Sequence, residues 1–223
     1  MCGRYNIIDD PSTQALMKTL GITRNLTTQY NIAPTDTVPV ILGSPDNREL
    51  GSMRWWLVPA WAPEPSTQYS MFNARAESIA ESSAFRAPFK RQRCVIPASS
   101  FIEWHTENGQ KQAYEIRQQG SAIAFAGIWD RWGQGDETIH SCCIITTQAI
   151  PQFQHIHNRM PVMLLQDVFE RWLDPSLEGK QLLPLLIPSL PGPTEVRLID
   201  SCINNSRIKE APCATGPVQM LCP

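Results

Sequence analysis

The apolar segments of the chain are short and are separated by polar residues, prolines and glycines, a pattern typical of strands and ordered loops rather than of a helical bundle. The second half holds one nearly continuous apolar and β-branched segment, at Ile139–Thr147, which predicts a buried strand. The full set of predicted strands is Thr37–Leu42, Ser52–Val58, Arg93–Ile96, Phe101–His105, Gln112–Arg117, Ala122–Trp129, Ile139–Thr147 and Val196–Ile199. The Asn108-Gly109 pair predicts a type I′ hairpin turn between two of them.

Helices are predicted only at the margins of this pattern. Asp10 caps residues 12–20, a proline occupies the first helical position, and Gly21 ends the segment. Asp167–Leu173 and Leu177–Leu186 also show helical patterns. Strands in adjacent hairpins with peripheral helices predict an α+β fold. We expect one domain over residues 1–223, with a mostly antiparallel sheet or distorted barrel.

Composition narrows the class of protein without naming a function. The chain has 223 residues, of which 42% are hydrophobic and 18% charged, and its formal net charge is -2, so a nucleic-acid partner would need a local basic patch. No apolar run approaches the ~20 residues that span a bilayer, and the N-terminus lacks a signal-peptide core. We therefore expect a cytoplasmic protein with no membrane partner, and a monomer by default.

Cysteine spacing also argues against a metal centre. The 7 cysteines are an odd number and contain no CxxC pair, so neither a zinc cluster nor a disulfide framework is predicted. We expect no cofactor and no metal. One of the cysteines, however, has an unusual position in the chain.

Cys2 directly follows Met1, so removal of that methionine would place a thiol and a free α-amine on one residue. Such a 1,2-aminothiol can add its amine to an aldehyde as a Schiff base, after which the thiol closes a five-membered thiazolidine ring. The unperturbed amine and thiol titrate near ~8 and ~8.5, so a minority of each is nucleophilic at neutral pH. Cysteine at position 2 can also occur by chance, and the N-terminus alone does not decide.

Two other candidate groups each allow several interpretations. Glu103 interrupts an aromatic strand: it is either exposed on the solvent face or desolvated at a pocket, where its pKa would rise toward that of a general acid or base. His157 follows His155 by two residues, a spacing that could present two metal ligands on one side of a strand. A proton shuttle or a structural hydrogen bond is the simpler interpretation of His157.

Basic and aromatic residues suggest contact with nucleic acid. Residues 85–94 contain a basic stretch, and Arg4, Arg75 and Arg159 each lie beside a candidate chemical residue. Among Trp55, Trp56 and Trp61, we expect two to pack in the core and at least one to stack on bases. Together with an aminothiol, these residues favour DNA, because an abasic site presents an aldehyde within a phosphate chain.

Six ordered strings carry a family resemblance. They are Cys2-Gly3-Arg4, Tyr30-Asn31-Ile32-Ala33-Pro34, Trp55 to Trp61, Asn73-Ala74-Arg75-Ala76-Glu77, Phe101-Ile102-Glu103-Trp104 and His157-Asn158-Arg159-Met160-Pro161. In this order they resemble the motifs of the SOS-response-associated peptidase (SRAP) family, and the match extends from residue 2 to about 213. The resemblance implies a single SRAP domain that recognises abasic sites in single-stranded DNA, particularly near junctions with duplex.

The resemblance also implies a reaction and its residues. Cys2, freed of Met1, would form a covalent DNA-protein crosslink that shields the lesion, and the protein would lie at the nucleoid when bound to DNA. Asn73 would orient the sugar remnant and the N-terminal group. Glu103 would move protons during Schiff-base formation, and His157 would assist opening of the deoxyribose. The implied DNA contacts are Arg4, Asn31, Pro34, Trp61, Arg75, Trp104 and Arg159.

The chain departs from the family pattern at several positions, and other activities remain open. Trp56 replaces a usual glycine, Ser99-Ser100 replaces a usual Asp-Gly pair, and Asn158 replaces a frequent aspartate. The family name records a different activity, an autoproteolytic or peptidase reaction with Cys2 as N-terminal nucleophile. A strand-cleaving lyase side reaction and a non-covalent single-strand-binding module are further alternatives.

Overall fold

The computed structural model describes residues 2–107 and 109–222. Its strands are β1 Arg4–Ile7, β2 Gln29–Ile32, β3 Thr37–Leu42, β4 Glu49–Trp55, β5 Asn73–Arg75, β6 Arg93–Ala98, β7 Ser100–Glu107, β8 Gln110–Gln118, β9 Ile123–Trp132, β10 Ile139–Gln148, β11 Arg159–Pro161, β12 Thr194–Ile199 and β13 Ala214–Leu221. Its α-helices are α1 Pro11–Thr19, α2 Arg86–Arg91, α3 Phe169–Leu173 and α4 Gly179–Leu182.

One sheet closes into a barrel. Its strands follow the order β10-β4-β3-β6-β9, and β9 pairs back onto β10. The pairing is antiparallel except where β4 and β5 run parallel to β10. The strand β10 is buried along most of its length, as its apolar sequence predicts. The short strands β5 and β11 both pair with it.

A second sheet packs against the barrel. Its strand order is β13-β12-β8-β7-β1-β2, and all its pairings are antiparallel. Tyr5 of β1 and Phe101 of β7 enter the shared core, where each packs edge-on against Phe125 of β9 at centroid distances of 6.0 and 5.9 Å. The fold is α+β with a barrel, a large antiparallel sheet and short helices, which confirms the predicted class.

Most predicted elements are confirmed, some with shifted ends. The Asp10 carboxylate accepts a hydrogen bond from the backbone of Thr13 at 2.8 Å and caps α1, and Gly21 follows with a φ of +75°. The strand predicted at Ser52–Val58 instead ends at Trp55. The backbone N–H of Trp56 donates to the carbonyl oxygen of Arg54 at 2.9 Å and therefore does not continue the strand pairing.

Other elements differ more from the prediction. The helix predicted at Leu177–Leu186 is only the short α4 followed by a 3-10 turn, because Pro184 has no backbone N–H to continue an α-helix. The hairpin β7–β8 is confirmed, with Thr106 opposite Lys111, although the predicted turn type rests on Asn108, which lies outside the described residues. Within the described ranges, no helix is long and apolar enough to cross a membrane.

Candidate active site

Cys2 is buried and lies two residues before the start of β1. Its relative exposure is 0%, and its carbonyl oxygen accepts a hydrogen bond of 2.9 Å from Asn73 Nδ2. Arg4 pairs with Ile102 of β7, so the residues before β1 run beside the next residue of β7, Glu103. Three of the predicted chemical residues, Cys2, Asn73 and Glu103, are thereby brought together from three separate parts of the chain.

Glu103 is buried, with 1% of its surface exposed, so the interpretation that it lies on the solvent face is wrong. Phe101, two residues earlier on the same face of the strand, is fully buried in the core. Burial disfavours the charged carboxylate and raises the pKa of Glu103 to about 7. A carboxyl group with this pKa populates both protonation states at neutral pH and can therefore give or accept a proton.

The thiol of Cys2 is held in its neutral form. Burial is the largest cause that raises its pKa well above the ordinary value, and the nearby charge of Glu103 raises it further. The sulfur lies 3.9 Å from the carbonyl oxygen of Arg4, a weak hydrogen-bond contact. A thiol in this setting needs a proton acceptor before it can attack, and Glu103 is the ionisable side chain that acts on it.

The buried carboxyl group has a measurable effect on stability. Because the pKa of Glu103 is higher in the folded protein than the ~4.3 of a free glutamate, its stabilising contribution is present below pH ~4.3 and is lost as the pH rises through about 7. The loss amounts to roughly 4 kcal/mol. We expect Glu103→Gln, which keeps the side chain's size, to raise the melting temperature more at pH 8 than at pH 5. Calorimetry at the two pH values checks this, and an equal gain at both would contradict the raised pKa.

His157 lies in the loop before β11 rather than on a strand. Its Nδ1 lies 2.9 Å from the backbone nitrogen of Arg159 and 3.2 Å from the carbonyl oxygen of the same residue. The shorter contact, in which Nδ1 accepts from the N–H, favours the neutral tautomer with its proton on Nε2. Burial is the main cause that lowers the pKa of His157, so the neutral ring dominates at pH 7. His155 is exposed in the same loop, and the described residues contain no cluster of three potential metal ligands. The histidine pair therefore lacks the strand geometry on which the metal interpretation depends.

Two of the predicted DNA contacts, Arg4 and Trp104, pack on each other. The Arg4 guanidinium lies 5.7 Å from the centroid of the Trp104 ring, and the ammonium of Lys111 lies 4.7 Å from it. The indole nitrogen of Trp104 donates to Asn204 Oδ1 at 2.6 Å. Two cations therefore contact the Trp104 ring, and Lys111 adds positive charge that the sequence motifs did not indicate.

The three clustered tryptophans have different environments. Trp55 is buried in the core and Trp56 is half-buried, with its ring 5.5 Å from that of Phe72. Trp61 is 61% exposed, and the neighbouring Tyr69 is 67% exposed on the same loop. Trp61 is therefore the tryptophan of this string with a free aromatic surface, as expected for one of the three. Tyr69 is a candidate that sequence reasoning missed.

Asn31 and Pro34 hold less accessible positions. Asn31 is buried with a φ of +51°, and its side-chain nitrogen donates to the carbonyls of Ile203, Asn205 and Ile208 at 2.9 to 3.2 Å. These bonds tie the C-terminal segment to β2. Pro34 is half-buried just after that strand.

A buried polar network anchors β1, and with it Cys2. Asn6 accepts a 2.8 Å hydrogen bond from the backbone of Asn31 and donates to Ser100 at 2.8 Å and to Glu115 at 3.2 Å. Ser100 in turn donates to Glu115 at 2.6 Å. The hydroxyl of Ser99 accepts a hydrogen bond from the backbone N–H of Ile8 at 2.8 Å. Both residues of the unusual Ser99-Ser100 pair therefore bond to the hydrogen-bonded network or to β1 and the residue after it. The network was not predicted, because its members are far apart in sequence.

The other basic residues predicted to contact DNA differ in exposure and bonding. Arg75 is exposed at the end of β5, and Arg86, Lys90 and Arg91 are exposed around α2, where Arg91 lies 3.6 Å from Glu178. Arg93 is buried and donates to the carbonyls of Trp172 at 2.8 Å and Leu177 at 3.0 Å, so this member of the basic stretch is structural. Arg159 forms an ion pair with Glu77.

Comparisons with known sequences, known structures and a family model agree with one another. An "Abasic site processing protein YoaM" of Bacillus subtilis is 36% identical over 95% of this chain and 96% of its own length. An "Abasic site processing protein HMCES" of Xenopus tropicalis is 31% identical over 82% of this chain and 64% of its own. A crystal structure from Bacteroides thetaiotaomicron superposes with a TM-score of 0.75 at 27% identity, covering 88% of this chain and 92% of that one. The family model described as SOS response associated peptidase (SRAP) matches residues 1–206, and the chain belongs to this family.

Proposed function

We propose that this protein recognises abasic sites in single-stranded DNA, including those at junctions with duplex, and bonds to them covalently through Cys2 after removal of Met1. The observation that carries the proposal is the burial of Cys2 beside Asn73 and a carboxyl group whose pKa is about 7. Relatives that match nearly the whole chain are named abasic site processing proteins, which supports the same substrate.

The proposed reaction balances with the loss of one water molecule. The α-amine of Cys2 attacks the C1′ aldehyde of the opened deoxyribose, and the resulting carbinolamine loses water to give a Schiff base. The thiol then adds to the carbon of the protonated Schiff base, whose nitrogen keeps its hydrogen in the closed ring. Glu103 protonates the departing hydroxyl and then accepts the thiol proton, which its pKa of about 7 allows. While Met1 is attached, the nitrogen of Cys2 is an amide and the reaction cannot begin.

The other residues hold the reactants. Asn73 fixes the carbonyl of Cys2 and so orients the adjacent amine. The neutral His157 ring offers the Nε2 proton to the sugar as its ring opens. Arg4, Arg75 and Lys111 supply positive charge for phosphates around the lesion, and Trp61 supplies a stacking surface.

A comparison of three oligonucleotides tests the proposal. Each single strand contains an abasic site, its tetrahydrofuran analogue without an aldehyde, or an intact thymine at the same position. We expect protein lacking Met1 to give a heat-stable shifted band on a denaturing gel with the abasic strand alone. Equal bands with the analogue, or no band with any strand, would refute the proposed chemistry.

The exposed indole of Trp61 gives a separate prediction about affinity. Base stacking on an aromatic side chain contributes about 1 to 3 kcal/mol, so Trp61→Ala should weaken binding of the tetrahydrofuran strand by roughly 5- to 150-fold. Fluorescence anisotropy measures this binding without the covalent step. Leu165→Ala, which removes an exposed apolar side chain outside this loop, is the matched control and should leave binding unchanged. Unchanged binding by Trp61→Ala would exclude Trp61 as a stacking residue.

A further inference from the structure

A cleft with a volume of about 200 Å³ lies along the loop that joins β4 to β5. Two aromatic side chains of this loop line it, Trp61 and Tyr69, and both are largely exposed. The rest of the lining is mostly apolar and includes Leu57, Val58 and Met71. An apolar cleft with aromatic side chains at its surface suits the flat face of a nucleobase.

The first arm of the β4–β5 loop is held in place by side chains near the end of β9. The Asp130 carboxylate accepts a hydrogen bond of 2.8 Å from the backbone N–H of Ala60, and the Trp132 indole donates to the carbonyl oxygen of Ala62 at 2.7 Å. These bonds fix the residues on either side of Trp61. The backbone that carries this tryptophan is therefore ordered without a ligand.

Two further indole groups hold the loop. Trp61 donates its own indole N–H to the carbonyl oxygen of Ser83 at 3.2 Å, which sets the orientation of its ring. Trp56, which replaces a usual glycine, donates to the carbonyl oxygen of Ser66 at 3.3 Å and so ties down the arm that leads to Tyr69. A surface arranged in advance loses less conformational entropy when it binds a ligand.

The cleft lies close to the site of the proposed reaction. Met71, which lines the cleft, precedes Asn73 by two residues, so at most ~7 Å of extended chain separates them. Asn73 in turn holds the carbonyl of Cys2 at 2.9 Å. Successive nucleotides of one strand are spaced by ~3.4 Å or more, so a base one or two nucleotides from the lesion can reach the cleft.

Charge distinguishes a base from a phosphate as the ligand of the cleft. Glu64 also lines it, and a carboxylate repels a phosphate but not a neutral base. Positive charge lies beyond the floor of the cleft instead, at the exposed Arg75 that ends β5. The charges therefore favour a base in the cleft and the sugar-phosphate chain outside it.

We propose that the cleft binds one base of the DNA strand next to the lesion, unstacked from its neighbours and in contact with both Trp61 and Tyr69. This inference rests on the proposed function and adds to it a second aromatic residue and a bound base. Unstacking costs least beside a damaged position, because one stacking partner is already missing there. Every base has an aromatic face, so we expect the cleft to accept any of the four.

Variants of Tyr69 test the protein side of this contact. Tyr69→Ala should weaken binding of the tetrahydrofuran strand roughly 5- to 100-fold, the effect of losing one stacking side chain, as measured by fluorescence anisotropy. Tyr69→Phe keeps the ring and should bind like the unchanged protein. Ile187→Ala removes an exposed apolar side chain that does not line the cleft and is the control. Unchanged binding by Tyr69→Ala, or equal losses in the alanine and phenylalanine variants, would overturn the inference.

Removal of single bases from the DNA tests the other side of the same contact. In each strand a second tetrahydrofuran replaces the nucleotide one or two positions from the lesion, on its 5′ or 3′ side. At one position, loss of the base should weaken binding by the unchanged protein but not weaken binding by Tyr69→Ala any further. Such non-additivity arises when two changes remove the same contact. Additive losses at every position would show that the cleft holds no base.

Crosslinking assays separate this inference from the proposed function. At saturating abasic DNA, the rate constant of Tyr69→Ala should stay within about twofold of the unchanged protein, because the residue contributes to binding and not to the chemical step. A large fall in that rate constant with an unchanged Kd would contradict a role in base binding. If the unchanged protein forms no crosslink, the proposed function fails. Normal crosslinking together with full DNA affinity in Tyr69→Ala removes only the assignment of the cleft.

Discussion

Replacing Cys2 with alanine is expected to abolish the heat-stable crosslink to abasic DNA completely. The variant keeps a free α-amine once Met1 is removed, so it can still form a Schiff base with the aldehyde, but it has no thiol to close the ring. The open imine promotes β-elimination, and we expect scission of the DNA strand in place of a stable adduct. A denaturing gel with the DNA labelled at one end shows both outcomes.

Other substitutions test whether the effect belongs to Cys2. Cys202 is an exposed free thiol far along the chain, and Cys202→Ala should crosslink like the unchanged protein. Cys2→Ser should also fail to give a heat-stable adduct, because a hydroxyl forms no thiazolidine. Full crosslinking by Cys2→Ala would contradict the proposed role, and peptide cleavage that persists in Cys2→Ser would favour the peptidase alternative.

Replacing Glu103 with glutamine is expected to slow crosslinking about 10²- to 10⁴-fold, the range that a positioned general acid or base contributes. The amide has nearly the same shape and cannot transfer a proton at neutral pH, so binding of the tetrahydrofuran strand should be unaffected. Single-turnover kinetics at saturating DNA measures the chemical step separately from binding.

The pH dependence supplies a second readout for Glu103. In the unchanged protein the carboxyl group is mostly protonated below pH 7 and mostly ionised above it, so the rate constant should bend near pH 7. Glu103→Gln should lose that bend. A bend that persists in the variant would assign the titration to another group, and an unchanged rate would remove Glu103 from the mechanism.

The same substitution should raise the free energy of unfolding above pH 7, because it removes a buried group that is charged there. A residue that destabilises the fold but speeds the reaction is expected at a catalytic site.

The sequence predicts well those elements whose signal is local. The cap at Asp10 and the stop at Gly21 define α1, and the apolar run at Ile139–Thr147 correctly indicates a buried strand. Both signals come from residues within a few positions of each other. The motif strings also identify Cys2, Asn73 and Glu103 as residues that the fold brings together.

What the sequence does not reveal depends on long-range pairing. The strands β5 and β11 have three residues each, too few for a periodic pattern, and they exist because β10 supplies hydrogen-bonding partners on both sides. Whether Glu103 is exposed or buried is not settled by alternation, since that pattern gives two faces without saying which one is covered. The bonding of Arg159 to Glu77 required the fold, because the two residues are 82 positions apart.

The most direct test of the central claim is the intact mass of the protein–DNA adduct, measured with and without borohydride. We predict the mass of the protein lacking Met1 plus the abasic oligonucleotide minus one water molecule, unchanged by borohydride because a thiazolidine ring has no imine to reduce. A mass that rises by two hydrogens would show an open Schiff base instead of the ring. The absence of any adduct from protein shown to lack Met1 would contradict the covalent chemistry of Cys2 altogether.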